Sequence, residues 1–418
     1  MQELVSFIIT SDKETGMNSL LPKYIHNICG QAMLSYTIDA SINAGSNKLI
    51  VLLSQDSDQI KEILPERAIV IHNDKDSELE TVLDEDRRGT VLILPGDYPA
   101  ICADTLKSAY EYHLEKENHV TVLTNTEGSL SDICFINTEL LLTEILSSKE
   151  ENPFESLSIK NIIKKLYAKG QKVGGFRASN SEELIKVNDR SQLSRAERTI
   201  LNRIIKKHMD NGVTFHLPET CMIHNKVVIG KDTVIHPGTQ LEGNTVIGEN
   251  CEIGPYSRIE NSVVKDGVHF MNSVMIDSQI GSNTKVGPFA FIRPGSNIGE
   301  NVKIGDFVEI KNSNIGNNSK VPHLSYVGDA DIGRYVNMGC GSIIVNYDGK
   351  KKTRSTVGDH AFVGCNVNLV SPVVVNNYAY IAAGSTITDE VPEYSLAIAR
   401  NRQTIIADWV RRKGLDKK

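Results

Sequence analysis

Over the first two hundred positions apolar residues gather in short continuous runs, at 4–10, 49–53 and 90–94. Between them lie stretches in which apolar residues return every three or four positions, at 32–44, 105–114 and 159–168. Continuous runs predict strands buried on both faces, and the spaced stretches predict amphipathic helices. The alternation predicts a Rossmann-like α/β domain on a mostly parallel sheet, with ligands collecting beyond the carboxy ends of the strands. A further helix over 192–209, with Leu193, Ile200, Leu201, Ile204 and Ile205 among charges, is expected to link this domain to the second half of the chain.

From Val213 the period becomes six. Aliphatic residues recur at Ile229, Ile235, Leu241, Ile247, Ile253 and Ile259, again from Ile280 to Ile310, at Ile315, Val321 and Val327, and from Val357 to Ile387. Four positions after many of them stands a small residue, as at Thr233, Thr239, Thr245, Ser257, Thr284, Ala290 and Ser296. Each six-residue unit reads as one short strand and a corner, the aliphatic residue filling the axis. One unit cannot close a core, so coils must stack, which predicts a parallel β-helix. A β-sandwich repeats every 8 to 12 residues and does not fit. The largest break in phase runs from Ile344 to Val357, where Asn346-Tyr347-Asp348-Gly349 and the basic Lys350-Lys351-Lys352-Thr353-Arg354 predict a turn and a projecting loop.

With 418 residues, two domains are expected. We set them at 1–190 and 213–400, joined by a linker helix over 191–212 and followed by a basic tail over 401–418. A net charge of −7 argues against a protein that coats nucleic acid or an anionic membrane. Seven cysteines, at 29, 102, 134, 221, 251, 340 and 365, form no CxxC pair and predict no disulfide framework. With no signal peptide or membrane span legible, a cytoplasmic protein with small-molecule substrates is expected.

The second half carries an ordered set of polar motifs: Arg293-Pro294-Gly295, Glu309-Ile310-Lys311, Val321-Pro322-His323-Leu324-Ser325-Tyr326, Val336-Asn337 and Asn346-Tyr347-Asp348-Gly349. This set resembles the bifunctional bacterial enzymes of UDP-N-acetylglucosamine synthesis, which combine glucosamine-1-phosphate acetyltransferase with N-acetylglucosamine-1-phosphate uridylyltransferase. The resemblance implies a left-handed β-helix, a homotrimer with active sites where subunits meet, and acetyl-CoA as acyl donor. It makes His323 the general base, a task that suits a neutral imidazole, whose ordinary pKa is about 6.5. By the same resemblance Arg293, Lys311 and Lys352 hold the sugar phosphate, and Tyr326 and Asn337 the sugar. Asn346 and Tyr347 help position the acetyl group, and Cys340, Cys365, Ala383 and Arg400 contact acetyl-CoA. Cys340 and Cys365 stand where alanine and serine are expected. The tail, with Trp409, Arg411, Arg412 and Lys413, either meets the phosphates of CoA or is simply solvated.

The first half resembles the uridylyltransferase in Leu21-Pro22-Lys23, Ile28-Cys29-Gly30, Gly96-Asp97 and Val187-Asn188. The resemblance makes Asp97 and Asn188 ligands of a possible Mg2+, and Lys23, Gly96 and Asn137 remnants of a nucleotide-sugar site. The phosphate loop departs from the family: two glycines become Asp12 and Glu14, and an arginine becomes Gly16. A carboxylate about 4 Å from a phosphate charge costs about 1 kcal/mol in water and about 4 kcal/mol at intermediate dielectric. Side chains there also obstruct the close backbone approach that glycine permits. The uracil-contacting stretch is absent between Asn73 and Gly89, where Asp74-Lys75-Asp76-Ser77-Glu78-Leu79-Glu80 stands.

The expectation is therefore an acetyltransferase that makes N-acetylglucosamine 1-phosphate and carries a degenerate uridylyltransferase domain. A fully bifunctional enzyme and a non-catalytic regulatory or scaffold paralogue are the alternatives. Zinc-dependent chemistry on a β-helix needs converging histidines, and none accompanies His323 in the sequence.

Overall fold

The computed structural model describes residues 3–10, 16–53, 58–72, 81–82, 87–147 and 159–416. The substituted phosphate loop positions 12 and 14, and residues 74–80, lie outside them. The chain divides into two compact units, Met1–Ile204 and Ile205–Lys418.

In the first unit the described residues form a sheet of seven strands, in the spatial order Ala68–His72, Lys48–Leu53, Leu4–Ile9, Thr90–Pro95, Leu130–Asn137, Val120–Thr124, Val173–Arg177. The apolar runs occupy its centre. Val5, Phe7, Ile50, Leu52, Val91 and Ile93 point to one face and Leu4, Ile8, Leu49, Val51, Leu92 and Leu94 to the other, all buried, as strands covered on both sides require. Helices Met33–Asn43, Ala103–Glu115 and Ile159–Ala168 stand where the helical spacing puts them.

One strand departs from the parallel arrangement, and the expected linker helix is present. Leu130–Asn137 runs antiparallel to both its neighbours. It follows Val120–Thr124 through a short turn in which the Asn125 side chain accepts from the N–H groups of Glu127 and Ser129 at 3.0 and 2.8 Å. So short a connection leaves no length for a crossover and forces a hairpin. The expected linker at 191–212 is one 21-residue helix, Arg190–Asp210, whose Ala196, Ile200 and Ile204 form a buried i, i+4, i+8 stripe. It is a packed element, and the boundary between the units falls inside it.

The second unit is a left-handed parallel β-helix, a three-sided stack of coils. Face one has eleven strands from Thr214–Phe215 to Leu396–Ala397, face two ten from Met222–Ile223 to Thr386–Ile387, and face three nine from Val228–Ile229 to Val374–Val375. Up to Tyr380–Ile381, which pairs with Leu396–Ala397 two strands on, each paired strand meets the one three later, so a coil is three hexads: Val228 pairs with Val246. The axial aliphatic residues named above are 0 to 6% exposed, and Thr233, Thr239, Thr245 and Thr284 are fully buried. Their hydroxyls bond to carbonyls of the coil above, as Thr233 Oγ1 does to Gly248 O at 2.9 Å and Thr284 Oγ1 to Gly299 O at 2.8 Å. A small polar residue at this position satisfies corner backbone that a larger one would crowd.

Between Ile259 and Ile280, where the strict period lapses, coils shorten and Val264, Phe270 and Met275 fill the axis. The opposite slip occurs once. Asn337 pairs with Phe362, 25 residues on instead of 18, and the excess is the basic segment foreseen as a loop. It folds as a small hairpin, with a bridge between Tyr347 and Lys352 and the Asp348 carboxylate accepting from the N–H groups of Lys350 and Lys351 at 2.8 Å. Arg354 then ties the returning chain to Asp331, at 2.5 Å from each carboxylate oxygen. The tail ends in a single helical turn, Trp409–Arg412, and its residues 400–416 are exposed. Among the described residues no helix is long and apolar enough to cross a membrane.

Candidate active site

In the first unit the loop after Thr90–Pro95 carries Gly96 and Asp97 to the carboxy end of the sheet. A Cβ on Gly96 would fall 2.6 Å from Leu34 Cδ1, so any side chain there would have to displace the buried end of Leu34. Lys23 Nζ donates to Asp97 Oδ2 at 2.6 Å and to Asn188 Oδ1 at 3.1 Å, which brings together the three residues matched to the nucleotide site. Asp97 Oδ1 is buried and has no hydrogen-bond partner among the described residues. Gly16, the described end of the phosphate loop, lies against Asn188 and Asp189. Beside them Lys186 pairs with Asp132 at 2.7 Å, and Tyr98 Oη donates to the same carboxylate at 3.3 Å. Burial opposes the charge on Lys186, but the carboxylates of Asp97 and Asp132 outweigh it and raise its pKa.

Asn137 does not join this group. It pairs with Thr90, at the opposite end of the strand that delivers Gly96, about 20 Å away at ~3.3 Å per residue. Its amide is hydrogen-bonded with His113 Nε2 at 3.1 Å. As a member of a nucleotide-sugar site it is corrected: the sheet directs it to the wrong end.

In the β-helix His323 ends a strand of face one, Lys320–His323, and is half-exposed at the corner leading to face two. One coil below, in register, Asp306 accepts from His323 Nδ1 at 2.5 Å. That contact holds the proton on Nδ1 and leaves Nε2 with the lone pair a base needs. Hydrogen bonding to His323 keeps the Asp306 carboxyl below its usual range, so it remains an anion beside the ring. The coils above continue the corner: Gly341 N donates to His323 O, Asn366 N to Cys340 O, and Gly384 N to Cys365 O. Cys340, Cys365 and Ala383 thus rise in a column over His323, and Arg400 reaches it beside Gly384. At ~4.8 Å per coil the column runs about 19 Å, a span that suits a long thin acyl carrier.

The cations gather at the next corner. Face two carries Arg293 and, one coil higher, Lys311, paired with Asp329 at 3.2 Å and 19% exposed. Lys352, from the hairpin, lies against Lys311. Contact with Lys311 and its charge, aided by Arg293, lowers the Lys352 pKa. Burial opposes the charge of Lys311, but Lys352 and Asp329 outweigh it and raise its pKa. Arg293 also pairs with Glu309 at 2.7 Å. Three cations face two carboxylates, and the net positive charge left over suits a phosphate.

Asp329 organises this corner. Its carboxylate accepts from Asn312 Nδ2 at 2.6 Å, from Lys311, and from the buried amide of Asn346. The same amide donates to Tyr326 Oη at 3.3 Å, so the tyrosine spans face two from the His323 corner towards the cations. Asn337 lies half-buried on face one, one coil above Lys320. Tyr347 is exposed and its hydroxyl donates to Gly349 O at 2.7 Å. Within one chain the base and the cation cluster occupy opposite ends of face two.

Sequence reasoning missed Asp306 and Asp329. Both were accessible by counting one coil back from His323 and from Asn346, 17 residues each, once a corner shortened by one residue is allowed for.

Comparison with known proteins shows the family of the chain. A family model described as the EIF2B subunit epsilon LbH domain matches residues 206–310. The bifunctional protein GlmU of Acetivibrio thermocellus is 42% identical over 99% of both chains. Its namesake in Caldanaerobacter subterraneus subsp. tengcongensis is 43% identical over 98% of both, and that of Clostridioides difficile 42% over 98% of this chain and 97% of its own. Identity at this level, running through both units, means that the chain belongs to the bifunctional GlmU family, which includes glucosamine-1-phosphate N-acetyltransferase activity.

Proposed function

We propose that the β-helix transfers acetyl from acetyl-CoA to the amine of glucosamine 1-phosphate, with His323 as base. The observation that carries this is the Asp306–His323 contact at the foot of the Cys340–Cys365–Ala383 column. Arg293, Lys311 and Lys352 hold the phosphate, and Tyr326 and Asn337 orient the sugar. The neutral Nε2 takes the amine proton as nitrogen attacks the thioester carbonyl, the Asp306 anion stabilises the imidazolium that forms, and as the C–S bond breaks that proton passes to the departing CoA thiolate, which leaves as the thiol. Cys340, Cys365, Ala383 and Arg400 line the acetyl-CoA path, with Asn346 and Tyr347 near its acetyl end. Base and cations stand at opposite ends of one face, which supports a trimer in which a neighbouring copy closes the site. Acetyl-dependent release of CoA thiol, requiring glucosamine 1-phosphate, tests the reading. His323→Ala should lower kcat by about 10²–10⁴; an unchanged rate would refute it.

For the first unit we infer that uridylyl transfer is lost, on the strength of Asp12, Glu14 and Gly16 in the phosphate loop. The bifunctional reading is favoured by a specific observation, the convergence of Lys23, Asp97 and Asn188. The orphaned Asp97 Oδ1 and the amide oxygen of Asn188 are hard oxygen donors that fit Mg2+, an ion commonly held by one or two protein oxygens and substrate phosphates. When bound, the ion would neutralise charge on a transferring nucleotidyl phosphate. Release of pyrophosphate from UTP and N-acetylglucosamine 1-phosphate decides between them: none is expected, and magnesium-dependent release would establish the bifunctional enzyme.

A further inference from the structure

Cys340 and Cys365 occupy the same position in consecutive coils of the proposed acetyl-CoA column. Met338 pairs with Val363 two residues earlier, and the Asn366 N–H donates to Cys340 O at 2.8 Å one residue later. The coils approach closely here because Gly339 and Gly364 precede the cysteines: a Cβ on Gly339 would fall 2.4 Å from Gly364 C and 2.6 Å from Cys365 N. Neighbouring parallel strands put in-register Cα atoms about 4.8 Å apart, within the range of roughly 4.4–6.8 Å that a disulfide spans. Cys365 is exposed and Cys340 half-buried, and both are free thiols.

The other five cysteines are unlike this pair. Cys29, Cys134, Cys221 and Cys251 are buried and Cys102 partly so. Burial pushes the thiols of Cys29 and Cys134 up to about 12 and that of Cys102 to about 11, which suppresses the nucleophilic thiolate.

We propose that Cys340 and Cys365 are a modification site: a vicinal dithiol that a small-molecule disulfide converts to a cross-link, closing the acetyl-CoA path beside His323. The Cys365 thiolate attacks one sulfur of the disulfide, breaking its S–S bond and expelling one thiolate. The Cys340 thiolate then attacks Cys365 sulfur in the mixed disulfide and expels the second. The protein dithiol gives up two electrons and the small disulfide takes them. The two cysteine protons end on the two released thiols. A disulfide on a cytosolic protein of this kind is transient and sensing, not structural. The linked sulfurs span the column one coil above His323, where the thioester must pass. That consequence for activity rests on the acetyl-CoA reading of the β-helix; the cross-link itself does not.

The test uses the full chain and glutathione disulfide. Intact mass should fall by two hydrogens, and a non-reduced digest should contain the peptide of Cys340 joined to that of Cys365. Acetyl transfer should be lost on oxidation and return with dithiothreitol, and acetyl-CoA present during oxidation should slow both changes. In Cys340→Ala the reagent should leave a glutathione adduct on Cys365 and no cross-link. The proposal is overturned if both thiols stay titratable, if the cross-link forms with the rate unchanged, or if the rate is lost on oxidation while the digest contains no Cys340–Cys365 cross-link. A reduced protein with no acetyl transfer would remove the functional reading, while the mass and digest would still decide the cross-link.

Discussion

Replacing Asp329 should loosen the hairpin that carries Lys352. The carboxylate is 11% exposed and holds Lys311, Asn312 and Asn346, the last being the residue where the hairpin begins. Removing one partner of a buried pair costs about 3–5 kcal/mol, and slight exposure puts this case near the lower end, about 3 kcal/mol. Asp329 also has φ 50°, a left-handed conformation that adds about 1 kcal/mol for alanine and little for asparagine. Asp329→Asn isolates the charge, and Asp329→Ala adds the backbone. If the loss falls on local opening, ~3 kcal/mol corresponds to roughly a hundredfold. Hydrogen exchange at the Thr353 N–H, which donates to Asn346 O at 2.9 Å, reads it directly. The KM for glucosamine 1-phosphate should rise with it while that for acetyl-CoA holds.

The same carboxylate sets a pH window. Burial opposes its ionisation, but hydrogen bonds from Asn312, Lys311 and Asn346 outweigh that and lower its pKa. A depressed carboxyl stabilises fully above its unfolded value, about 3.9, and the contribution disappears as pH falls through the folded value. Protection of Thr353 should therefore be level from neutrality to about pH 4 and collapse below it. Exchange within threefold of the parent in Asp329→Asn, or loss of protection already at pH 6, would refute the reasoning.

Three further outcomes are expected. Asp306→Asn removes the anion beside His323 and should lower kcat about tenfold or more, with KM little changed, a smaller loss than the ~10²–10⁴ of losing the base itself; an unaltered kcat would detach Asp306 from catalysis. Lys352, depressed mainly by Lys311, is the first of the cations to lose its proton as pH rises, so the KM for the sugar phosphate should climb below the usual lysine range. In Lys311→Ala that climb should move to higher pH, and a break that stays in place would show that Lys352 does not cause it. Gly305→Ala puts a Cβ 1.8 Å from Pro322 O and must part the two coils that bring Asp306 to His323. A cost of about 1–3 kcal/mol in denaturant and a fall in kcat are expected, and parental values for both would argue against rigid stacking.

The axial residues were legible because one aliphatic side chain per hexad is a constraint on neighbours in sequence. Asp306 and Asp329 were legible only by counting coils, because their partners lie a coil away and the coil length is 18, 17 or 16 residues depending on the corner. Asn137 shows the converse error. Its match to a motif carried no information on strand direction, and the turn at Asn125 that reverses its strand decides which end of the sheet it reaches. The pairing of Lys186 with Asp132 joins residues 54 positions apart and left no local pattern to read.

The seven extra residues between Asn337 and Phe362 leave the stack and rejoin it in phase, with Val357 and Val363 back on the axis. For the solenoid, then, the length of that excursion is nearly a free variable, limited by the reach of Lys352 to its neighbours and by the anchor at Arg354. A single residue removed from within a strand is another matter, since it would turn each later side chain on that face from axis to solvent. Substrate chemistry in this molecule is thus written where the fold tolerates editing, and register is written where it does not.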